Sequence, residues 1–223
     1  MTKKIVAAVE GGGTTFRLVV GEMDDEDVSS TTALPKIIAR TTVDSSQNPQ
    51  TALQECVQFL QQHRPAQGYY DGLGLATFGP VGVHPHRPEE YGCILPTTPK
   101  PIWRSVNLLQ PLLHACSSDN GQQVPKVLVD TDVNAPALSE FLHYNETVAR
   151  NNSNINAEKI TSLAYVTVGT GTFGFFETKN VSGSFPTPNV AVFSWFASLP
   201  SLFFFSFLTP HSSSCLFHFI LSR

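Results

Sequence analysis

The sequence predicts an α/β fold: an antiparallel meander, then alternating helices and strands, then the first strands of a second lobe. Three observations carry that prediction. The apolar run Ile5-Val6-Ala7-Ala8-Val9 ends at Glu10, passes through Gly11-Gly12-Gly13-Thr14-Thr15, and becomes a second strand-type run at once. Apolar residues at helical spacing follow Asn48 and again follow Ser105, each with a short strand pattern after it. Far along the chain, Leu163 to Phe175 repeats the hairpin, with Gly169-Thr170-Gly171-Thr172 at its bend. Two hairpins of one chemistry imply two lobes, each presenting a hydroxyl-rich turn, between which a polyphosphate can be clamped.

The first hairpin is neither of the better known glycine motifs. A P-loop needs Gly-Lys-Ser/Thr opening a helix, and a dinucleotide fingerprint needs G-x-G-x-x-G opening a helix, whereas Thr14-Thr15 leads into a strand. Glycines are expected here because they take backbone angles that a side chain forbids, which turns amide N–H groups into one concavity beside the threonine hydroxyls. On this stretch alone an ordinary glycine hairpin and a phosphate turn are both open. The second copy favours phosphate.

After the hairpin, Met23 to Ala33 reads as a solvated acidic and Ser/Thr-rich loop, and Pro35 to Val43 as the third strand of the meander. Asn48 caps a helix with Pro49 in its first turn, and Leu53, Cys56, Val57 and Leu60 form the face that packs on the sheet. Leu73 to Phe78 is the next strand, stopped by Gly79-Pro80. That turn is either a plain strand end or a ligand-facing one, since ligands of open α/β sheets gather beyond the strand ends.

Val83 to Arg104 is proline-rich; His84 and His86 lack a metal-ligand spacing and read as loop residues. Ser105 to Cys116 is expected to be helical, with Leu108, Leu109, Leu112 and Leu113 inward, Pro111 as a kink, and Asn107 as a capping residue. Lys126 to Val129 is a short strand. Asp130-Thr131-Asp132-Val133-Asn134 follows it, and Asn134 is expected to cap a helix from Ala135 to about Tyr144 with Pro136 in its first turn. Asp132 alone reads as a structural carboxylate before a helix. Beyond a strand end, in a chain with two phosphate hairpins, it also fits a base that accepts a proton from a hydroxyl during phosphoryl transfer. Asn145 to Glu158 is asparagine-rich and reads as an exposed loop.

Charged residues make up 14% of the chain, well below the roughly 25% of ordinary soluble proteins. The deficit is local, because none of the four charged types occurs between Lys179 and Arg223. A net charge of −4 gives no basic face for nucleic acid. Cys56, Cys93, Cys116 and Cys215 lack zinc or redox spacing and are expected to be reduced thiols. Glu10 ends the first apolar run too soon for a signal-peptide core, so a cytoplasmic protein is expected. Val190 to Leu208 has the length of a membrane anchor, but Pro200, its serines and its uncharged flanks argue against one.

Five groups of residues, in order, resemble the sugar kinases of the ROK type within the actin and hexokinase superfamily, and fructokinases most closely. They are Glu10-Gly11-Gly12-Gly13-Thr14-Thr15-Phe16; Thr77-Phe78-Gly79-Pro80; Tyr91-Gly92 with Thr97-Thr98-Pro99-Lys100-Pro101 and Trp103; Thr131-Asp132-Val133-Asn134-Ala135 with Ala137-Leu138 and Glu140; and Thr167-Val168-Gly169-Thr170-Gly171. The resemblance implies an actin-like ATPase (ribonuclease H-like) lobe over residues 1–145, with a mixed five-stranded sheet and flanking helices. It implies the start of a second lobe over 146–180, left incomplete. Residues 181–223 form a divergent Phe/Ser-rich tail outside the family pattern.

The implied activity is ATP- and Mg2+-dependent phosphorylation of a hexose, with fructose to fructose 6-phosphate the best single choice. Asp132 matches the family's general base. Asn134, with Gly79 and Pro80, matches positions beside the sugar, and Glu10 matches the acidic residue near magnesium. Gly11, Gly12, Gly13, Thr14, Thr15, Gly169, Thr170 and Gly171 match positions around the phosphates. Ile102 stands where fructokinases usually have glycine. The family's zinc-bearing segment is not recognisable beyond Phe173, so structural zinc is not expected, and this chain is expected to be catalytically impaired. The resemblance also suggests a homodimer for a full-length form. A noncatalytic sugar sensor and a membrane-tethered fragment are the alternative readings; the family's repressors carry a DNA-binding segment ahead of the first hairpin, and only Met1 to Lys4 stand there.

Overall fold

A computed structural model describes residues 3–24, 35–151, 162–168, 172–178 and 215–221. Strands β1 (Lys3–Gly11), β2 (Thr15–Asp24) and β3 (Lys36–Asp44) are followed by helix α1 (Pro49–Gln62), strand β4 (Gly72–Thr77), helix α2 (Leu109–Cys116) and strand β5 (Lys126–Thr131). Helix α3 (Asn134–Asn151) and strands β6 (Ser162–Val168), β7 (Thr172–Thr178) and β8 (Cys215–Leu221) complete the order. The chain divides into two compact units, Met1–Asp132 and Val133–Arg223.

In the first unit the five strands lie in the order β3-β2-β1-β4-β5. The β1–β2 and β2–β3 pairs are antiparallel, as a meander requires, while β4 and β5 add to β1 in parallel across the helical connections. The mixed sheet expected from the sequence is therefore present. Its side chains alternate with the strand period: Ala7, Val9, Phe16, Leu18, Val20, Leu73, Leu75 and Val129 are buried on the face that packs with α1 and α2.

Asn48 caps α1 as expected, its Oδ1 accepting from the N–H groups of Gln50 at 2.9 Å and Thr51 at 3.1 Å. The expected face packs on the sheet and is wider than expected. Ala52, Cys56, Phe59 and Leu60 are buried, and Leu53 and Val57 sit at its margin. Ala52 and Phe59 are the additions, and a count of large aliphatics overlooks the small Ala52. Burial drives the Cys56 and Cys116 thiols up to about 12, so both are core groups rather than nucleophiles.

Helix α2 starts at Leu109, not Ser105, because the preceding backbone is bonded elsewhere. Ser105 N–H donates to Ile94 O, Ile94 N–H to Val106 O, and Leu108 N–H to Gly92 O, all at 2.9 Å. Pro111 falls in the first turn, where N–H groups have no intrahelical acceptor, so it does not interrupt the helix. Asn107 does cap, its Oδ1 accepting from Gln110 N–H at 2.8 Å.

The long connection from β4 to α2 folds back onto the core through Val81, Ile94, Trp103 and Leu108. Trp103 lies 5.2 Å from Phe16 and 5.8 Å from Phe78 between ring centroids, and its Nε1–H donates to Ser45 O at 3.1 Å. Gly92 needs both of its freedoms: φ is +73°, and an added Cβ would lie 2.2 Å from that of Leu109.

In the second unit, α3 runs through to Asn151, past the expected end near Tyr144, and takes in the first part of the expected loop. Ala137 N–H donates to Val133 O at 3.3 Å, so the helical turn already begins at Val133, and Asn134 stands inside the first turn instead of before it. Ala137, Phe141 and Leu163 form a small buried cluster. β6 and β7 pair antiparallel with Val168 opposite Thr172, the hairpin expected from the sequence. β8, drawn from the Phe/Ser-rich tail, pairs in parallel with β6. Among the described residues no helix is long and apolar enough to cross a membrane.

Trp103→Ala is expected to lose about 3–5 kcal/mol of unfolding free energy in a urea titration. Gly74→Ala, whose added Cβ meets nothing within 4 Å, is expected to be neutral or to gain about 0.5–1 kcal/mol in the same measurement.

Candidate functional site

The parallel register sets the C-terminal ends of three strands flush: Gly11 pairs with Thr77, and Thr77 with Thr131. The next residue of each later strand is then pinned to its neighbour. Phe78 N–H donates to Gly11 O at 2.8 Å, and Asp132 N–H donates to Thr77 O at 2.8 Å. The hairpin bend, the Phe78-Gly79-Pro80 turn and Asp132 thus share one edge of the sheet, where ligands of α/β folds bind.

In the bend, Gly12 N–H donates to Thr15 O and Ser45 N–H to Thr14 O, each at 2.9 Å, and the Lys100 ammonium donates to Gly13 O. The N–H groups of Gly13 and Thr14 have no acceptor among the described residues, and the Thr14 and Thr15 hydroxyl oxygens lie 3.4 Å apart beside them. These are the donors expected for a phosphate turn. The reason for the glycines is different from the expected one. None of the three has φ in the left-handed region; Gly11 is required by close approach, and Gly12 and Gly13 sit in tighter contact than most residues tolerate. An added Cβ would come 2.5 Å from Thr77 Oγ1 at Gly11, 3.0 Å from Thr15 O at Gly12 and 3.3 Å from Lys100 Nζ at Gly13. Thr77 itself is fully buried, and its Oγ1 has no hydrogen-bond partner among the described residues.

Asp132 is partly buried, and that burial raises its carboxyl above the ordinary aspartate value. The negative charge of Glu10 pushes the same way, while its own backbone N–H and the Lys100 ammonium pull it back. Glu10 faces its cross-strand partner Arg17, whose NH1 donates to Oε1 at 3.2 Å and Oε2 at 3.1 Å. Both side chains are largely exposed, so the pair contributes at most about 1 kcal/mol and can open for another ligand. Burial lowers the Lys100 ammonium below the usual lysine value, against the pull of Asp132. Its Nζ sits 4.1 Å above the centroid of the Phe78 ring.

The structure therefore gathers Glu10, Gly11, Gly12, Gly13, Thr14, Thr15, Gly79, Pro80 and Asp132 at one sheet edge. Gly169, Thr170 and Gly171 lie outside the described residues, and Asn134 belongs to the second unit. Sequence reasoning overlooked Lys100 as a site residue, together with Thr98, whose Oγ1 donates to Gly79 O at 3.2 Å. A lysine between two prolines in a charge-poor chain was the available signal. His84 and His86 stack with centroids 6.0 Å apart in the connection. A cleft of about 300 Å³ lined by Gln61, Arg64, His114, Ser118 and Asp119 opens where α1 and α2 end, near the start of β4. It holds none of these groups, and the chemistry argues for the strand-end edge over this cleft.

The donors at the bend fit a polyphosphate. Among the described residues no group of three or more His, Cys, Asp or Glu side chains forms a metal cage. Magnesium asks for less, since it keeps most of its waters and binds through phosphate oxygens and one or two carboxylates, a role open to Glu10.

A mixed sheet in this order, flanked by helices, with a glycine bend at the ends of its parallel strands, defines a lobe of the actin-like ATPase fold. Glucokinase from Balamuthia mandrillaris in complex with glucose shares it, with a TM-score of 0.51 over 83% of this chain and 47% of that one, at 14% identity. The chain belongs to the ROK family, whose pattern it matches over residues 6–177. It is 31% identical over 171 residues to a fructokinase of Zymomonas mobilis, covering 76% of this chain and 46% of that protein. It is likewise 31% identical over 168 residues to a fructokinase of Pediococcus pentosaceus, covering 75% of this chain and 46% of the relative. The chain thus spans about half the length of the curated relatives it matches.

In a carboxyl NMR titration Asp132 is expected above the ordinary aspartate range. Lys100→Met should move it further up by removing a cation, and Glu10→Gln should move it down by removing an anion; shifts of the opposite sign would refute the charge arrangement. Gly11→Ala is expected to cost about 1–3 kcal/mol, read by chemical denaturation, because its Cβ collides with Thr77.

Proposed function

We propose that the protein takes part in ATP-dependent phosphorylation of a hexose, with fructose converted to fructose 6-phosphate and Asp132 as the general base. The observation that carries this reading is a carboxylate of raised basicity at the end of β5, flush with a glycine-threonine bend whose Gly13 and Thr14 N–H groups have no acceptor of their own among the described residues. A sugar hydroxyl is a poor nucleophile near neutral pH, and a base of raised pKa competes better for its proton as the new bond forms.

In the proposed step the sugar oxygen bonds to the γ-phosphorus, its proton passes to Asp132, and the bond to the β-phosphate oxygen breaks with ADP as the leaving group. Gly79, Pro80 and Asn134 are assigned to the sugar. Gly11 to Thr15, with Gly169, Thr170 and Gly171, are assigned to the phosphates. Glu10 is assigned to the magnesium side of the site, where the ion would supply positive charge that offsets that of the phosphates. The reading carries with it a cytoplasmic protein and a homodimeric longer form. It also places the turnover of this chain alone well below that of its relatives, because it spans 46% of the Zymomonas mobilis protein.

A coupled ADP assay at high protein concentration, with fructose, glucose and mannose in parallel, tests the reading. Fructose should give the highest rate, and Asp132→Asn should lower it by about 100-fold or more at unchanged KM for ATP. Turnover that survives Asp132→Asn intact would overturn the base assignment, and a clear preference for another sugar would overturn fructose.

A further inference from the structure

Lys100 stands in a position that the fold alone does not require. Its backbone is fixed from both sides. Lys100 N–H donates to Thr98 Oγ1 at 3.4 Å, Thr98 Oγ1 in turn donates to Gly79 O at 3.2 Å, and Trp103 N–H donates to Lys100 O at 3.0 Å. Trp103 is anchored through its Nε1–H to Ser45 O, and Ser45 N–H holds Thr14 O. The loop is therefore a strap that joins the Gly79 turn to the Gly12–Thr15 bend, with one flexible side chain reaching across it.

That side chain ends in a partly buried ammonium that donates to a single carbonyl, Gly13 O, lies over the face of Phe78 and feels the charge of the nearby Asp132. A buried cation usually has a paired carboxylate or a fuller set of acceptors, because a desolvated ammonium is costly. Arg17, the other cation beside the bend, directs its guanidinium to both oxygens of Glu10. Lys100 is thus the ammonium whose local partners are weak and whose tip lies within 3.3 Å of where a side chain on Gly13 would begin. A polyphosphate seated on the free N–H groups of Gly13 and Thr14 would bring its oxygens to that same place.

We propose that Lys100 is a phosphate-contacting residue, whose ammonium exchanges the Gly13 carbonyl for oxygens of a polyphosphate bound at the bend. The strap would then couple the two sides of the site: the loop that holds the Gly79 turn also lends the phosphates their cation. Placed beside Asp132, the same charge would draw the terminal phosphate toward the base. This deepens the kinase reading and rests on it only in taking the ligand of the bend to be a polyphosphate.

The test is titration calorimetry of the full chain with inorganic tripolyphosphate, with and without magnesium. The unaltered chain is expected to bind, Lys100→Met to bind about 10- to 100-fold more weakly, and Lys100→Arg to recover most of the loss, as a charge-assisted bond would. The affinity of Lys100→Met should also fall less steeply with added salt. Lys100→Gln separates charge from tethering, since its amide can still donate to a carbonyl. If Lys100→Gln binds like the unaltered chain, or if Lys100→Met does, the proposal is overturned while the polyphosphate reading stands. An unaltered chain that binds no tripolyphosphate overturns both. Should Lys100→Met fail to fold, the Gln and Arg variants carry the same comparison.

Discussion

The close contact between Gly11 and Thr77 is the constraint on which the rest of the site depends. β1 and β4 run parallel with these two residues opposite each other, and a Cβ at Gly11 would stand 2.5 Å from Thr77 Oγ1. Because nothing intervenes, Gly11 O can accept from Phe78 N–H, and Thr77 O can accept from Asp132 N–H one strand further on. The position of the carboxylate is thus set by two backbone hydrogen bonds that begin at a glycine. A larger residue at position 11 would move the Phe78 turn and Asp132 with it.

The electrostatics of the edge follow from that placement. Glu10 and Lys100 both act on Asp132, Asp132 acts on Lys100, and burial works against the charged form of both Asp132 and Lys100. The folded-state pKa of Asp132 is raised, so its ionisation opposes folding: the cost sets in above the unfolded value and is complete above the folded one. A group held in this way lowers stability near neutral pH, which is the usual mark of a functional position.

Around this edge the connection from β4 to α2 works as scaffold. Its Trp103 closes an aromatic cluster with Phe16 and Phe78, so the core beneath the bend and the loop above it are one packed body. Thr98, Lys100 and Trp103 reach the Gly79 turn, the glycine bend and Ser45 in turn. A segment of this kind carries both stability and ligand contact. Its irregular backbone is therefore held more firmly than its lack of regular secondary structure suggests.

In the first unit the order of strands and helices, the first hairpin, the Asn48 cap and the placement of Gly12, Thr14 and Asp132 just beyond strand ends were legible in the sequence, whereas β8 was not. Each rests on local effects: side-chain period, turn chemistry and capping act over a few residues. Where the reading slipped, the cause was a distant partner. Helix α2 begins late because Ile94 and Gly92 claim the backbone of residues 105–108, and the face of α1 takes in Ala52 and Phe59 besides the residues expected. The glycines of the bend were foreseen for their dihedral freedom, yet at Gly11 it is the close approach of Thr77 that excludes a side chain. Lys100 meets Gly13 across 87 positions of chain, and Trp103 meets Ser45 across 58, separations at which no pattern in the sequence speaks. The amino-acid order by itself determined the elements and the chemistry they carry, since those are short-range; which charges face one another, and how far burial shifts them, was decided by tertiary packing alone.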